Sequence, residues 1–214
     1  TDKRLNTLRS STGSLGLASE ECRKGTLERF VGDVVHQGVV ARVRPAQVLD
    51  EKAAYRWLEQ AQRPLVLILD GVQDPRNLGA CIRSADAAGV GLVVVSRSES
   101  ADLTATARKA ASGAAEWLPV ARVGNLARVM ASLKELGVWL LGADEHADSP
   151  YYRADLSGAV GLVLGAEGTG LRRLTRESCD SLIRIPMLGG VGSLNVSVAC
   201  GVLLYEAVRQ RCSK

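Results

Sequence analysis

Three glycine-bearing segments of the chain carry polar side chains at positions where chemistry could take place. The last of them, residues 185–197, holds three glycines in four positions, followed by Ser193 and Asn195. Glycine lets backbone lie close to a ligand or take a positive φ, and Ser193 or Asn195 can cap the apolar helix that we predict at 195–211. Strand, loop and capped helix is how α/β proteins hold small ligands at strand ends. A tight connection with ordinary capping is the alternative.

Two further apolar strands lead into loops of the same kind. Residues 65–70 form a continuous apolar run that ends in aspartate, which is typical of a buried parallel strand, and a segment containing Asn77 and Arg83 follows. Residues 160–164 lead into a glycine loop around Glu167. An arginine on a mostly apolar helix more often faces a phosphate or a carboxylate, so Glu167 could pair with Arg83. Three such loops are hard to explain as connections alone.

These segments, taken in order, resemble the three motifs of SpoU-type RNA ribose 2′-O-methyltransferases of the SPOUT superfamily. The matching stretches are LDGVQDPRNLGACIRSADAAGV, LVLGAEGTGL and IPMLGGVGSLNVSVACG. The resemblance covers residues 65–211 and is closest to the bacterial branch that methylates a guanosine ribose in 23S ribosomal RNA, which HQGVVARV at 36–43 also resembles. It implies methyl transfer from S-adenosylmethionine to a ribose 2′-hydroxyl. A tRNA ribose 2′-O-methyltransferase and a non-catalytic RNA-binding protein of the same fold are the alternatives.

The resemblance also implies roles for individual residues. The polar residues that match the family's catalytic positions are Asn77, Arg83, Glu167, Ser193 and Asn195. The implied cofactor contacts are Leu164, Gly165, Ala166, Ile185, Met187, Gly190 and Leu194. For Ile185 and Leu194, packing in the core is a nearly equal alternative. A basic cluster formed by Arg172, Arg173 and Arg176 is a reasonable contact for RNA phosphates, and a solvated, charge-laced helix is its alternative.

Arg83 has two possible chemical roles. The corresponding arginine is often assigned as the base in related enzymes, but a free guanidinium has a pKa above about 12 and offers no lone pair. The alternative keeps Arg83 charged, where it holds an RNA phosphate and stabilises the developing alkoxide. Ser193 and Asn195 would then orient the ribose or Arg83. A serine nucleophile would need a nearby histidine, and His36 and His146 both lie outside the motifs.

The composition of the chain bears on its partners. A net charge of +4 allows a polyanionic partner, and 4 % aromatic residues make base stacking a minor part of any RNA contact. Five cysteines without a Cys-x-x-Cys pair favour reduced thiols in the cytoplasm over a zinc site. No apolar run reaches membrane-spanning length. The composition is therefore compatible with an RNA partner and favours neither a metal nor a membrane, and the family resemblance implies that this RNA is ribosomal. A Rossmann-type enzyme would need a Gly-x-Gly-x-x-Gly turn, which residues 70–79 lack.

The elements that must position these residues alternate along the chain. We predict strands at 65–70, 91–96, 117–120, 138–142, 160–165 and 182–185. Helices are predicted at 77–88, 103–112, 124–136, 170–178 and 195–211. This alternation predicts an α/β fold, with a mostly parallel sheet and helices on both faces. The family resemblance adds a C-terminal trefoil knot and part of a small N-terminal RNA-binding domain.

The expected domains follow from the same reasoning. Residues 1–45 are expected to be the remnant of a ribosomal-protein-like RNA-binding domain, with a loop at 10–14 and a strand at 38–43. Because the chain begins Thr1-Asp2, we expect the rest of that domain to lie upstream.

Residues 46–64 are predicted to be a linker with a short helix, and residues 65–214 to be the SpoU methyltransferase domain, with Asp144–Ser149 in a surface loop. The helix at 195–211 is apolar on more than one face, so it needs cover from another helix or from another subunit in addition to the sheet. The family resemblance implies the second of these, a homodimer that pairs through this helix.

Overall fold

The computed structural model describes residues 3–32, 35–43 and 46–212. The chain separates into two compact units, Thr1–Pro45 and Ala46–Lys214. The first contains helices α1 (Lys3–Ser14) and α2 (Lys24–Val31), and neither helix has a buried residue.

All five cysteines of the chain are free thiols. Within the described residues, no helix is long and apolar enough to cross a membrane.

Two predictions for the first unit are wrong. The segment 10–14, predicted to be a loop, belongs to α1. The hydroxyls of Thr12 and Ser14 donate hydrogen bonds to the backbone carbonyls three residues earlier, at 3.0 and 2.9 Å, so they do not compete with the backbone hydrogen bonds of the helix. The strand predicted at 38–43 is absent from those residues. A turn occupies its start, where Gln37 and Gly38 have φ of 51° and 83°.

The second unit is built on one six-stranded sheet. Its strands are β1 (Leu65–Asp70), β2 (Leu92–Ser96), β3 (Val120–Val123), β4 (Trp139–Ala143), β5 (Val160–Gly165) and β6 (Ser181–Ile183). Their order across the sheet is β3-β2-β1-β5-β4-β6, and every neighbouring pair is parallel. The order runs in opposite directions on the two sides of the β1–β5 pair. Ligands of open α/β sheets bind outside the carboxyl ends of strands at such a point.

Helices cover both faces of this sheet. They are α3 (Glu51–Gln60), α4 (Pro75–Ala87), α5 (Ala105–Ala110), α6 (Leu126–Glu135), α7 (Arg173–Ser178) and α8 (Val196–Cys212). The core on one face includes residues of α4 and α8, and the core on the other includes residues of α3 and α6. The predicted α/β fold with a parallel sheet and helices on both faces is therefore confirmed.

Two predicted element boundaries moved for local reasons. The strand predicted at 117–120 begins at Val120, because a 3₁₀ turn at Ala114–Glu116 follows Gly113, whose φ is 97°. The helix predicted at 170–178 begins at Arg173. Gly168 and Gly170 both have positive φ, which a right-handed helix cannot contain. The loop before α7 is thus longer than expected.

Candidate active site

Helix α4 presents Asn77 and Arg83. Asp74 caps this helix by accepting a 2.7 Å hydrogen bond from the backbone N–H of Arg76, and Pro75 is its first residue. Asn77 is therefore the third residue of the helix and not its cap. Its side chain is instead free to bond outside the helix from the first turn. The Arg83 side chain is exposed, and it makes no hydrogen bond or ion pair with the described residues.

Asn77, Glu167 and Asn195 form one hydrogen-bonded cluster. The Asn77 Nδ2 donates to Glu167 Oε2 at 3.3 Å, and the Asn195 Nδ2 donates to Asn77 Oδ1 at 3.1 Å and to Glu167 Oε2 at 3.3 Å. These residues follow β1, β5 and β6, so three strand ends meet here. The suggested ion pair between Glu167 and Arg83 is not formed, and the two amides that bond to Oε2 are the partners of this carboxylate instead.

Of the two possible caps of α8, Asn195 is the one used. Its Oδ1 accepts hydrogen bonds from the backbone N–H and the hydroxyl of Ser197, at 3.0 and 2.7 Å. Because Oδ1 faces the helix, Nδ2 must face Asn77 and Glu167, and the amide orientation is set by its partners on both sides. The capping role and the cluster role of Asn195 therefore support each other.

A cavity of about 480 Å³ adjoins this cluster. Of the residues with implied cofactor contacts, it is lined by Leu164, Gly165, Ala166, Ile185, Met187 and Leu194. Glu167 and Ser193 also line it, so two of the five expected catalytic residues lie among the expected cofactor contacts, while Arg83 is not part of the lining. Gly190 does not line the cavity, and no atom lies within 4 Å of where its Cβ would be.

The sequence reasoning missed the part of the cavity wall formed by four consecutive residues at the end of β4. They are Ala143, Asp144, Glu145 and His146. Three of them fall in the stretch assigned to a surface loop. Strand β4 lies between β5 and β6, so its carboxyl end opens onto the same space. The signal was present, since an apolar strand ending in polar residues is the pattern used for the other motifs.

Each arginine of the predicted basic cluster has a carboxylate partner. The Arg172 Nε donates to Asp70 Oδ1 at 2.7 Å, and its backbone N–H to Oδ2 at 3.1 Å. Asp70 is fully buried, and its hydrogen bonds raise the pKa of Arg172. Arg173 pairs with Glu177 on α7 at 2.9 Å. Arg172 is thus held by the fold, and contact of this cluster with RNA stays a prediction.

Arg176 belongs to the cavity wall. Its Nε lies 2.8 Å from Asp144 Oδ2, and the backbone N–H of His146 donates to the other oxygen at 2.8 Å. The cavity therefore has an apolar floor, formed by Leu164 and Ile185, and a charged edge. A ligand with a flat apolar part and a charged amino-acid part, which describes S-adenosylmethionine, fits this lining and volume.

Comparison with known proteins identifies the family. The model of the SpoU rRNA Methylase family matches residues 64–205. The 23S rRNA (guanosine-2'-O-)-methyltransferase RlmB of Vibrio cholerae is 52 % identical over 210 residues, which are 98 % of this chain and 85 % of that protein.

Two solved structures share the fold. The SpoU methyltransferase AviRb from Streptomyces viridochromogenes, in complex with the cofactor AdoMet, is 33 % identical with a TM-score of 0.69, over 73 % of this chain and 64 % of that one. The AdoMet-bound rRNA methyltransferase from Sinorhizobium meliloti is 26 % identical with a TM-score of 0.75, over 96 % of this chain and 77 % of that one. The resemblance found in the motifs is confirmed, and the chain belongs to the SpoU rRNA Methylase family.

Proposed function

We propose that this chain transfers the methyl group of S-adenosylmethionine to the ribose 2′-hydroxyl of a guanosine in 23S ribosomal RNA. The observation that carries this proposal is the cluster of Asn77, Glu167 and Asn195 beside a cavity at the point where the strand order reverses. Family membership and the name of the Vibrio cholerae relative support the choice of reaction and of RNA.

The residues around the cavity would hold the cofactor. Leu164, Ile185 and Leu194 offer apolar surface to its base and ribose, and the backbone of Gly165 and Ala166 can approach closely because their side chains are small. When bound, S-adenosylmethionine supplies an electrophilic methyl group on a positively charged sulfur. The low exposure of the cavity floor favours a ribose hydroxyl over water as the acceptor.

Arg83 and Glu167 act on the RNA side of the reaction. Arg83 has no partner among the described residues, so its guanidinium is available to an RNA phosphate and to the alkoxide that develops on the 2′-oxygen. Both amides bond Oε2 of Glu167, which leaves Oε1 able to accept a hydrogen bond from the ribose or from Arg83. Ser193, exposed in the cavity wall, can orient the same ribose.

Mapping of ribose methylation in cells tests the proposal. We expect ribosomal RNA from cells lacking this protein to lose one 2′-O-methylguanosine in 23S RNA, and expression of the protein to restore it. Transfer RNA is mapped in parallel, because loss of a methyl group there instead would select the tRNA alternative. Unchanged methylation of both RNAs would contradict the proposal. The cytoplasm, where ribosomal RNA is assembled in bacteria, is the proposed location.

We propose that residues 1–45 are the later part of an RNA-binding domain and that residues 65–214 form the methyltransferase domain. Helix α3, in the segment between them, packs two buried residues, Ala54 and Leu58, against the sheet. If residues 1–45 belong to an RNA-binding domain, a chain extended by upstream residues should bind RNA more tightly and with a steeper salt dependence, because phosphate contacts supply much of the affinity. If neither the affinity nor the salt slope changed, the domain assignment would be wrong.

We also propose that the chain forms a homodimer through α8. Val198, Gly201, Val202 and Tyr205 follow helical spacing, and Val198 and Tyr205 are 51 % and 54 % exposed. Leu203 is 1 % exposed and packs in the core, so it belongs to the opposite face. In a two-fold contact one substitution acts twice, so Val198→Glu should convert a dimer to monomers in light scattering at micromolar concentration. A monomeric wild type with full activity would exclude the dimer from the mechanism.

We propose, from the family resemblance, that the C-terminal segment forms a trefoil knot. Residues of α8 reach the connection between β4 and β5, where Gln210 Nε2 donates to the carbonyl of Ala154 at 3.0 Å and Arg211 Nε to that of Leu156 at 3.1 Å. A crystal structure tests this proposal. If the two chain ends are joined outside the molecule and the resulting closed curve contains no knot, the proposal is refuted.

A further inference from the structure

A second cavity, of about 380 Å³, lies beside β3, the outermost strand on one side of the sheet, apart from the proposed cofactor cavity. We call it the arginine groove, since its lining includes Arg97, Arg108 and Arg122, together with Val48, Leu49, Asp50, Asp102 and Leu103. Arg97 directly follows β2, and Arg122 is part of β3. The proposed methyl transfer makes no use of this groove.

Two of the arginines have protein partners. Arg108 Nη1 lies 2.6 Å from Glu116 Oε1, and Arg122 pairs with Asp102. The Nε–H of Arg122 is nevertheless buried, and no acceptor for it exists among the described residues. A buried donor without an acceptor destabilises a protein by about 1–3 kcal/mol. An acceptor atom supplied by a ligand would remove that penalty.

Arg97 is the cation of the groove that remains open to a ligand. Its side chain is exposed and makes no hydrogen bond or ion pair within the described part of the chain. Asp50, the other carboxylate in the lining, caps α3 by accepting a 2.8 Å hydrogen bond from the backbone of Ala53. The groove thus combines a free guanidinium with a buried, unsatisfied N–H donor, which is the combination that a phosphate oxygen satisfies.

The groove lies on the same edge of the sheet as the Asn77–Glu167–Asn195 cluster. Strands β3, β2, β1 and β5 are consecutive neighbours, so two strand spacings, or about 10 Å, separate the end of β3 from that of β1. The loop after β2 connects the two places, because the backbone N–H of Ala101 donates to the carbonyl of Val72 at 2.8 Å. One RNA strand can span this distance.

We infer that the arginine groove binds a phosphate of the substrate RNA, close in the strand to the methylated nucleotide, with Arg97 and the Nε–H of Arg122 as donors. The inference rests on the proposed function for the identity of the polyanion. Binding at the groove holds the RNA along the carboxyl edge of the sheet. The groove thereby adds a second contact to the RNA strand, besides the one proposed for Arg83.

The test compares Arg97→Ala with Arg56→Ala in the full chain. Arg56 is an exposed arginine of α3 outside the groove lining, so the two variants change the net charge equally. Binding of a fluorescent 23S RNA fragment is measured over a salt series, and cofactor affinity by calorimetry. We expect Arg97→Ala to weaken RNA binding at least roughly threefold and to lower the salt slope by about 0.7–0.9, with unchanged cofactor affinity.

Equal RNA affinity and equal salt slope for the two variants would overturn the inference. Arg97→Lys, which keeps the charge, should restore most of the affinity, and a failure to do so with an unchanged melting temperature would also count against a phosphate contact. A methylation assay of the wild type distinguishes failure of the groove inference from failure of the proposed function. A wild type that binds RNA through Arg97 but methylates none of it would refute the function and leave the groove standing.

Discussion

Two glycine loops contribute residues to the wall of the proposed cofactor cavity, and the protein holds them very differently. The loop at 166–172 is tied at both ends, by mutual backbone hydrogen bonds between Ala166 and Gly170 at 3.1 and 2.9 Å and by the contact of Arg172 with buried Asp70. The loop at 186–192 has little of this support. Leu188 is 99 % exposed, and Val191 is 66 % exposed.

The 166–172 loop is therefore held in place by the fold, whereas the 186–192 loop depends on a ligand or a second subunit for further contacts. Exposed apolar side chains in a loop are an interaction surface when they lie next to a functional cavity. The 166–172 loop places Glu167 beside Asn77 and Asn195 through contacts within the protein itself. The 186–192 loop can then close on the cofactor, on RNA or on the partner subunit without disturbing that cluster.

The largest effect is expected from Gly165→Val. A Cβ at Gly165 would lie 2.1 Å from the carbonyl carbon and oxygen of Gly170, so the substitution must displace the tied loop. We expect calorimetry to show no cofactor binding and the melting temperature to fall. Binding is lost because the valine side chain displaces the 166–172 loop and also fills part of the cavity. Gly190→Ala is the control, because no atom lies within 4 Å of that Cβ. Equal behaviour of the two variants would refute the distinction between the loops.

The next largest effect is expected from Asp70→Asn. It leaves Arg172 without its anion, and removal of one partner of a buried pair costs about 3–5 kcal/mol. The Arg172 side chain is 40 % exposed and can still reach water, so we expect the lower end of that range in urea unfolding. Glu177→Gln breaks the exposed ion pair with Arg173 within α7, and it should lower the free energy of unfolding by less than about 1 kcal/mol. Similar losses for both variants would mean that Asp70 does not anchor the loop.

Hydrogen exchange compares the two loops without a mutation. Backbone N–H groups at Ala166, Gly170 and Arg172 already have acceptors, so they should exchange slowly with or without the cofactor. Exchange at 187–192 should be fast in the free protein and should slow severalfold when S-adenosylmethionine is added. Protection of the 187–192 segment in the free protein, or no change on addition, would show that the two walls are equally preformed.

The smallest effect concerns Cys179, which directly follows α7 behind the tied loop. Burial raises its pKa to about 12, from an ordinary value near 9. Between these values the unfolded chain loses the thiol proton while the folded chain keeps it, so stability contributed by this residue is lost as the pH rises from about 9 to 12. At pH 8 we expect Cys22 and Cys212, which are exposed, to react with a thiol reagent while Cys179 does not. Rapid labelling of Cys179 would indicate that α7 opens.

The parts of the fold that the sequence predicted are those decided by local pattern. The strands at 65–70 and 160–165 have the predicted limits, because strands buried on both faces form continuous apolar runs. The N-terminal unit was predicted poorly, since α1 and α2 bury no residue and α1 has little apolar periodicity. Sequence patterns of this kind report burial, and they are weak where burial is absent.

The site was predictable as a set of loops and less so as a set of contacts. Asp70 and Arg172 are 102 residues apart, and nothing in either neighbourhood indicates that the arginine turns to a buried carboxylate instead of to RNA. The choice of two amides over Arg83 as partners of Glu167 likewise depends on how three strand ends meet. Both features come from the order of strands in the sheet, which propensity and periodicity do not encode.

The most direct test uses purified protein, S-adenosylmethionine with a deuterated methyl group, and 23S ribosomal RNA, with nucleosides analysed by mass spectrometry. We expect the label in 2′-O-methylguanosine at one position with the wild type. We expect none with Arg83→Ala, whose cofactor affinity should stay within a few-fold because Arg83 acts on the RNA side. Label on a base, no label with the wild type, or normal turnover by Arg83→Ala would contradict the proposed reaction or the role of Arg83 in it.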